Sequence, residues 1–302
     1  MKPLHEDEIP IDEQVVQRLL EGQHPEWSHL AIQRLSTSGS SNVLFRLGDD
    51  LLVRLPRQPN GGSTILKESR WLPTLQDRLP VRTPEIVAVG SPSEAFPEHW
   101  SIQRWIPGFQ LSASRTRPRE RLAEELGDAI KVLRDLPRPE KLDDSLLPYR
   151  GRSLAEHDAK FRRDLAACRQ IRSLDLDLDA MLSIWEEGLK QPEAKETRWF
   201  HSDVVAENIL VDARGHIAAI LDFGGMGLGD PAIDLHGAWE IFDADDRARF
   251  RQRLAADDAE WLRGRAWALA VPAMTYSYYW PTMPARIRDR TVMAKAVLDG
   301  PD

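Results

Sequence analysis

Residues 201–224 read HSDVVAENILVDARGHIAAILDFG, and this stretch decides how the rest of the sequence is interpreted. Asp203 and Asn208 are separated by five positions, and Asp222 follows two short apolar runs joined by a glycine turn. Two such runs around a glycine turn predict a β-hairpin. Because a hairpin returns the chain to where it began, we expect Asp222 to lie close to Asn208.

These three oxygen-bearing side chains suit phosphoryl transfer. That reaction needs a carboxylate that orients or deprotonates the attacking hydroxyl, and oxygen ligands for the Mg²⁺ that bridges the phosphates. Kinase catalytic loops place an Asp and an Asn five residues apart and follow them with Asp-Phe-Gly, which here is Asp222-Phe223-Gly224. Each residue alone has an ordinary structural explanation as a cap or turn residue, but the order and spacing together favour the catalytic interpretation.

The rest of the chain predicts two regions of different character. Residues 1–105 read as a helix, Asp12–Gln23, followed by strands at His29–Ser36, Asn42–Leu47 and Leu51–Leu55, a helix from about residue 64 to 79 that is irregular at Pro73, and two further strands. Residues 106–302 are mostly helical apart from the hairpin. We therefore predict an α+β, bilobal fold, with an N-terminal nucleotide-binding lobe and a helical lobe for catalysis and substrate binding.

A charged pair is predicted in the N-terminal region. Arg54 alternates with Leu51, Val53 and Leu55 along a strand and so points to the opposite side. Glu68 falls on the apolar side of the next helix, where a carboxylate is costly unless it is paired. Arg54 is its natural partner, and a bidentate guanidinium can also hold a phosphate. An ion pair without phosphate contact is the alternative.

Two more segments are candidates for nucleotide contacts. The turn containing Ser38, Gly39 and Ser40 lies between the first two strands, where backbone N–H groups and hydroxyls could cover the triphosphate. The segment Gln103–Ile106, with Gln103 and Trp105, would connect the lobes and offer backbone hydrogen bonds to a purine.

The sequence resembles the aminoglycoside phosphotransferase family, the small-molecule branch of the protein-kinase-like fold, which includes macrolide kinases. His201-Ser202-Asp203 to Asn208, then Ile220–Gly224 and Gly229–Leu235, match the family pattern, and Val53–Pro56 resembles the Arg-bearing strand of many members. The resemblance implies an enzyme that transfers the γ-phosphoryl group of ATP or GTP to a small-molecule hydroxyl, with a role in antibiotic resistance. It implies Asp203 as catalytic base, Asn208 and Asp222 as Mg²⁺ ligands, and Asp234 as their support.

Two positions depart from the family pattern. Ser202 stands where glycine is usual, and Val204–Glu207 is an unusual filling between the Asp and the Asn. Both leave room for altered substrate use or activity. The aromatic residues of the C-terminal region either pack in the core or line an acceptor pocket, so they do not distinguish an aminoglycoside, a macrolide or a metabolite alcohol.

Other classes of protein are less well supported. Gly224–Gly229 resembles a dinucleotide-binding turn, but helix rather than strand follows it, and a P-loop is absent from the sequence. The histidines do not have zinc-ligand spacing, and Cys168 is the only cysteine. A silent nucleotide-binding member and a protein kinase remain alternatives. The net charge of −8 and the absence of a long apolar run predict a cytoplasmic protein that binds neither nucleic acid nor membrane.

Overall fold

The computed structural model describes residues 4–36, 39–111 and 120–300. The chain divides into two compact units, one of Met1–Arg78 with Arg82–Pro107 and one of Leu79–Val81 with Gly108–Asp302. The first contains a five-stranded sheet and the second is mainly helical, which confirms the α+β class. The assignment of residues 1–105 to nucleotide binding and 106–302 to catalysis remains a prediction.

The N-terminal sheet is antiparallel, in the order β1-β2-β3-β5-β4. Its strands are β1 (Ile32–Arg34), β2 (Asn42–Leu47), β3 (Leu51–Pro56), β4 (Ile86–Gly90) and β5 (Trp100–Arg104). The expected strand His29–Ser36 is shortened, because the Leu30 N–H closes a turn onto the Trp27 carbonyl at 3.1 Å. The ladder with β2 runs over the three residues of β1.

Helix α1 (Glu13–Gln23) provides the apolar cover of this unit. Asp12 begins the helix by accepting a hydrogen bond from the Val15 N–H at 2.8 Å, as an N-cap aspartate does. The predicted apolar face is confirmed, since Val15, Val16, Leu19 and Leu20 are buried in one cluster with residues of β2, β3 and β5.

The second helical segment is two helices, α2 (Gly62–Trp71) and α3 (Pro73–Gln76). Pro73 has no backbone N–H and cannot continue the hydrogen-bond ladder, so the irregularity expected there is a complete break. The segment also ends at Gln76, three residues before the expected Leu79.

The C-terminal unit contains seven of the helices in the described part of the chain. They are α4 (Glu120–Asp135), α5 (Leu154–Cys168), α6 (Leu178–Leu189), α7 (Ala238–Ile241), α8 (Ala244–Leu254), α9 (Asp258–Tyr279) and α10 (Pro284–Leu298). Helix α9 is central, because it packs against α5, α6 and α10. No helix among the described residues is long and apolar enough to cross a bilayer.

Two small sheets in this unit carry the segment 201–224. Strand β6 (Phe109–Gln110), β8 (Ile209–Val211) and β9 (Ile217–Ile220) form one sheet, and the predicted hairpin is therefore present. Strands β7 (Arg198–Phe200) and β10 (Gly227–Gly229) form the other. The stretch His201–Asn208 thus connects β7 to β8, and Asp222 comes two residues after the end of β9.

Candidate active site

The loop His201–Asn208 and the end of the β8–β9 hairpin are joined by hydrogen bonds. The Leu221 N–H donates to the Asn208 carbonyl at 2.8 Å, and Nε2 of His201 lies 2.9 Å from the Leu221 carbonyl oxygen. Phe223 packs edge-on against the His201 ring with centroids 4.4 Å apart. The structure therefore brings the predicted loop residues and Asp222 to one end of the hairpin.

Asp203 and Asn208 are in direct contact. Nδ2 of Asn208 donates to the Asp203 carbonyl and to Oδ2 of its carboxylate, both at 2.9 Å. This orientation fixes the carboxylate and turns Oδ1 of Asn208 away from Asp203. The spacing of five residues is thus explained by a closed loop in which the amide holds the acid.

Asp234, which is fully buried, binds the backbone of the loop His201–Asn208. Its carboxylate accepts the N–H of His201 at 2.9 Å and the N–H of Ser202 at 2.7 Å. Burial raises the pKa of Asp234, although the neighbouring His201 and Arg134 and the two N–H donors oppose the shift. This is the geometry expected of the supporting role that the family resemblance implied.

Ser202 adopts a backbone conformation that normally belongs to glycine. Its φ of 78° lies in the left-handed region, where a Cβ atom is disfavoured. The conformation explains why glycine is usual here, and in this chain serine adopts it. Gly225 makes room for the change, since a Cβ there would come within 1.9 Å of the Ser202 hydroxyl oxygen.

Asp222 is also left-handed, with φ of 62°, and it precedes the 3₁₀ turn Phe223–Gly225. A non-glycine residue in this region is uncommon, and such conformations are concentrated at functional sites. The turn redirects the chain immediately after β9, so the Asp222 side chain is placed at the end of the hairpin and not along the strand.

Positive charges surround the Asp203 carboxylate. Burial acts to raise the pKa of Asp203, but the guanidinium groups of Arg150, Arg290 and Arg286 outweigh it and hold that pKa well below its usual range. Arg150 makes direct contact, with Nη1 donating to Oδ1 of Asp203 at 3.3 Å. Asp203 is therefore ionised at neutral pH, as a group that accepts a proton must be.

An ion-pair network from α10 holds the residues between Asp203 and Asn208. Arg290 binds Glu240 through Nη1 and Glu207 through Nη2, the latter at 2.7 Å, and Arg286 binds Glu207 at 3.0 Å. Glu240 in turn accepts the N–H of Ala206 at 2.8 Å. The unusual Glu207 is thus an anchor point for the loop.

Sequence reasoning missed this network and missed Arg150. One signal was present, because Arg286 and Arg290 are four residues apart and so share one face of α10. No signal marked Arg150, which lies in the 3₁₀ turn Tyr149–Gly151, far from the loop in sequence.

The N-terminal unit contains the predicted ion pair. Nη1 of Arg54 lies 2.5 Å from Oε2 of Glu68, and both side chains are buried. The pair joins β3 to α2, as the sequence pattern predicted. Whether the guanidinium also contacts a phosphate remains a prediction.

The turn containing Ser38, Gly39 and Ser40, predicted to cover the triphosphate, lies partly in the described chain. Ser38 lies outside the described residues, while the carbonyl oxygens of Gly39 and Ser40 face Arg57 and His5 at 3.2 and 2.8 Å. Because these contacts involve the carbonyl oxygens, they do not test whether the N–H groups bind a triphosphate. That contact stays a prediction.

Some polar atoms of the segment Gln103–Ile106, which is predicted to border a purine, already make hydrogen bonds within the N-terminal unit. Gln103 is buried within β5, and its side chain donates to Ser101 at 3.3 Å. The Trp105 N–H donates to the Asp50 carbonyl at 2.8 Å, and the Arg46 guanidinium lies 3.8 Å from the Trp105 ring centroid. A purine would therefore have to bind other atoms of this segment than the Trp105 N–H.

The donor set at the end of the hairpin fits Mg²⁺. Among the described residues no group of three or more His, Cys, Asp or Glu side chains could hold a metal ion. Mg²⁺, however, is commonly bound by one or two protein oxygens together with substrate phosphates and water. Oδ1 of Asn208 and the carboxylate of Asp222 would provide such a pair of oxygens.

The aromatic residues near the C-terminus are mostly core residues. Trp239, Trp261, Trp267 and Tyr276 are buried, whereas Tyr278 is 53% exposed. Core packing is therefore the correct interpretation for these four, whereas Tyr278, near the end of α9, presents aromatic surface.

Known proteins share the sequence family and the fold of this chain. Residues 32–267 match the model of the phosphotransferase enzyme family, APH. No curated protein matches the chain by sequence.

Several solved structures share the fold at low sequence identity. The GDP complex of aminoglycoside 2'-phosphotransferase-IIIa is 17% identical, with a TM-score of 0.67 over 96% of this chain and 99% of the other. The streptomycin–ATP complex of APH(2")-IIa is 15% identical, with a TM-score of 0.61 over 88% and 91%. Macrolide 2'-phosphotransferase MphH from Brachybacterium faecium is 19% identical, with a TM-score of 0.60 over 97% and 100%.

The family match covers well over half of the chain, and the structural matches extend over nearly all of it. Together they confirm the resemblance stated from the sequence. This chain belongs to the phosphotransferase enzyme family and has the kinase-like fold of the aminoglycoside and macrolide phosphotransferases.

Proposed function

We propose that this enzyme transfers the γ-phosphoryl group of ATP or GTP to a hydroxyl of an antibiotic-like small molecule of the aminoglycoside or macrolide type. The observation that carries the proposal is the carboxylate of Asp203, fixed by the Asn208 amide at 2.9 Å beside the end of the hairpin that presents Asp222. Structures similar to this one include a complex with GDP and kanamycin and a complex with ATP and streptomycin.

Asp203 acts on the acceptor hydroxyl. Its low pKa makes it a weak base, so its first task is to accept a hydrogen bond and orient the hydroxyl for in-line attack. It then receives the proton as the new P–O bond forms. This order suits a loose transition state, in which positioning and charge stabilisation provide most of the catalysis.

Asn208 and Asp222 would hold Mg²⁺ through Oδ1 and the carboxylate. When bound, the ion would neutralise charge on the phosphate oxygens. The Asn208 amide would then have two tasks, since its Nδ2 already orients Asp203.

In the N-terminal unit, Arg54 would contact the nucleotide phosphates while Glu68 keeps the guanidinium in place. The residues Gly39 and Ser40, with Ser38, would cover the triphosphate, and Gln103–Ile106 would border the purine. These assignments place nucleotide binding in residues 1–105 and catalysis in residues 106–302.

The acidic residues favour an acceptor with few positive charges. Glu240 is buried and bound to Arg290, and Asp243 is the N-cap of α8, accepting the Asp246 N–H at 3.0 Å. Carboxylates committed in this way are poor partners for a polycationic drug. A macrolide-type acceptor is therefore better supported than an aminoglycoside, and a metabolite alcohol is the main alternative.

The proposal is tested by a phosphorylation screen. Purified enzyme would be incubated with Mg²⁺ and ATP or GTP, with macrolides, aminoglycosides and metabolite alcohols as acceptors, and products would be identified by mass spectrometry. We expect a phosphorylated macrolide-type product, and loss of at least about 10³-fold in kcat for Asp203→Asn. Asp175→Asn, at an exposed position, is the control.

Other results would assign the protein differently. Nucleotide binding without transfer to any acceptor would identify a silent member, and transfer to a metabolite alcohol alone would identify a metabolic kinase. Phosphorylation of proteins would favour a protein kinase. A bacterium that expresses the enzyme in its cytoplasm should become less susceptible to the drug that is phosphorylated, and Asp203→Asn should remove that protection.

A further inference from the structure

Arg150 is positioned against the catalytic loop by a rigid turn. Its Nη1 donates to the Ser202 carbonyl at 3.1 Å and to Oδ1 of Asp203 at 3.3 Å. The next residue, Gly151, accepts the Asp230 N–H at 2.9 Å, and a Cβ at Gly151 would come within 2.5 Å of the Phe200 ring. The turn therefore has little freedom to move away from the loop.

The guanidinium is only partly used by these contacts. Both hydrogen bonds from Arg150 to described residues come from Nη1. A guanidinium also carries N–H donors on Nε and Nη2. The Arg150 side chain is 31% exposed, so these remaining donors are accessible to a ligand.

The loop itself provides no positive charge. The residues between Asp203 and Asn208 are Val204, Val205, Ala206 and Glu207. Arg290 and Arg286 are engaged with Glu207 and are more deeply buried. Arg150, by contrast, donates a hydrogen bond directly to the Asp203 carboxylate.

A group that touches Asp203 is within reach of the transferred phosphoryl group. The acceptor oxygen must lie within hydrogen-bond distance of Asp203, and the γ-phosphorus about 3–3.5 Å from that oxygen before attack. The planar fork of Arg150 can span a carboxylate and a phosphoryl oxygen at this separation.

We propose that Arg150 is a catalytic residue that donates hydrogen bonds to the γ-phosphoryl oxygens in the transition state, an inference that rests on the proposed function. The acceptor oxygen forms a bond to the γ-phosphorus, and its proton passes to the Asp203 carboxylate. The bond from the γ-phosphorus to the β–γ bridging oxygen breaks, and its electron pair leaves with the nucleoside diphosphate. Arg150 neither gains nor loses a proton, and it stabilises the charge on the group in transit.

The test compares Arg150→Ala and Arg150→Lys with Arg152→Ala. Arg152 is two residues further along and exposed, pairs with Glu156 at 3.4 Å and lies over the Tyr149 ring, so it is a matched control away from Asp203. Calorimetry would measure the affinity for ADP with Mg²⁺, and for ADP with Mg²⁺ and aluminium fluoride, which mimics the phosphoryl group in transit.

For Arg150→Ala we expect kcat to fall by at least about 100-fold. We also expect the aluminium fluoride complex to weaken by at least about 30-fold, while the affinity for ADP changes by less than about threefold. Arg150→Lys should recover part of the loss, added guanidinium should partly rescue Arg150→Ala, and Arg152→Ala should match the wild type.

The inference is overturned if Arg150→Ala binds the aluminium fluoride complex as tightly as the wild type, because Arg150 would then serve only to orient Asp203. It is equally overturned if the affinities for ADP and for the complex fall in parallel. This titration needs no acceptor turnover. A wild type that binds the complex tightly but phosphorylates no acceptor would therefore contradict the proposed function and not the role of Arg150.

Discussion

Replacing Arg290 with methionine should destabilise the C-terminal unit more than an ordinary surface substitution. Arg290 is 3% exposed, and its guanidinium is bound by Glu240 and Glu207. Methionine retains much of the aliphatic volume, so the main change is the loss of the buried positive charge.

The size of this loss of stability depends on which partners Glu240 and Glu207 keep after the substitution. Glu240 is buried and would retain only the Ala206 N–H, whereas Glu207 is 29% exposed and would retain Arg286. Removing one partner of a buried ion pair costs about 3–5 kcal/mol, and the Glu240 contact supplies most of it because partial exposure screens the other. For a unit of this size the loss corresponds to a fall in Tm of roughly 6–20 °C.

The assay is unfolding by heat and by denaturant, followed by circular dichroism. Arg288→Met is the matched control, since Arg288 lies on the same helix but is exposed. The double variant Arg290→Met/Glu240→Gln should be more stable than the sum of the two single losses predicts, by about 1–3 kcal/mol. A loss for Arg290→Met no greater than that for Arg288→Met would refute the reasoning.

Ser202→Gly should raise the free energy of unfolding by about 1 kcal/mol, or Tm by roughly 2–4 °C. The reason is that it relieves a left-handed backbone and removes a buried hydroxyl with no hydrogen-bond partner among the described residues. An unchanged or lower Tm would contradict this prediction. Glu68→Gln should cost about 3–5 kcal/mol in denaturant unfolding, since it leaves the buried Arg54 without its counter-charge, whereas Glu85→Gln, whose ion pair is exposed, should cost less than about 1 kcal/mol. Burial lowers the pKa of His157 to about 4, so the unfolded chain binds the proton more tightly, and stability should fall as the pH drops from about 6.5 to about 4. In His157→Phe that fall should be smaller, and an unaltered pH profile would exclude His157 as its source.

Local pattern was sufficient for much of the fold and for the centre of the site. The spacing of Asp203 and Asn208 and the hairpin before Asp222 are features of continuous sequence, and the structure shows both as predicted. The Arg54–Glu68 pair could also be predicted, because strand alternation and helix periodicity indicate the side on which each side chain lies. The two residues are also only 14 positions apart. Errors at element ends, such as the shortened β1, arose where a turn competes with strand pairing.

Long-range contacts could not be predicted from local sequence patterns. Arg150 meets Asp203 across 53 positions, and Arg290 meets Glu207 across 83, and nothing in the composition of either segment marks these partners. Only the packing of the helices decides which charges meet.

For this protein the sequence alone determined the class of chemistry, because the residues proposed as base and metal ligands lie close together in the chain, around one hairpin. Even the departure at Ser202 was visible, although not its cause. The tertiary structure decided how the loop is held and charged. Asp234, Glu240 and the arginines of α10 reach His201–Asn208 from other elements, and the positive charges that keep Asp203 ionised come together only on folding.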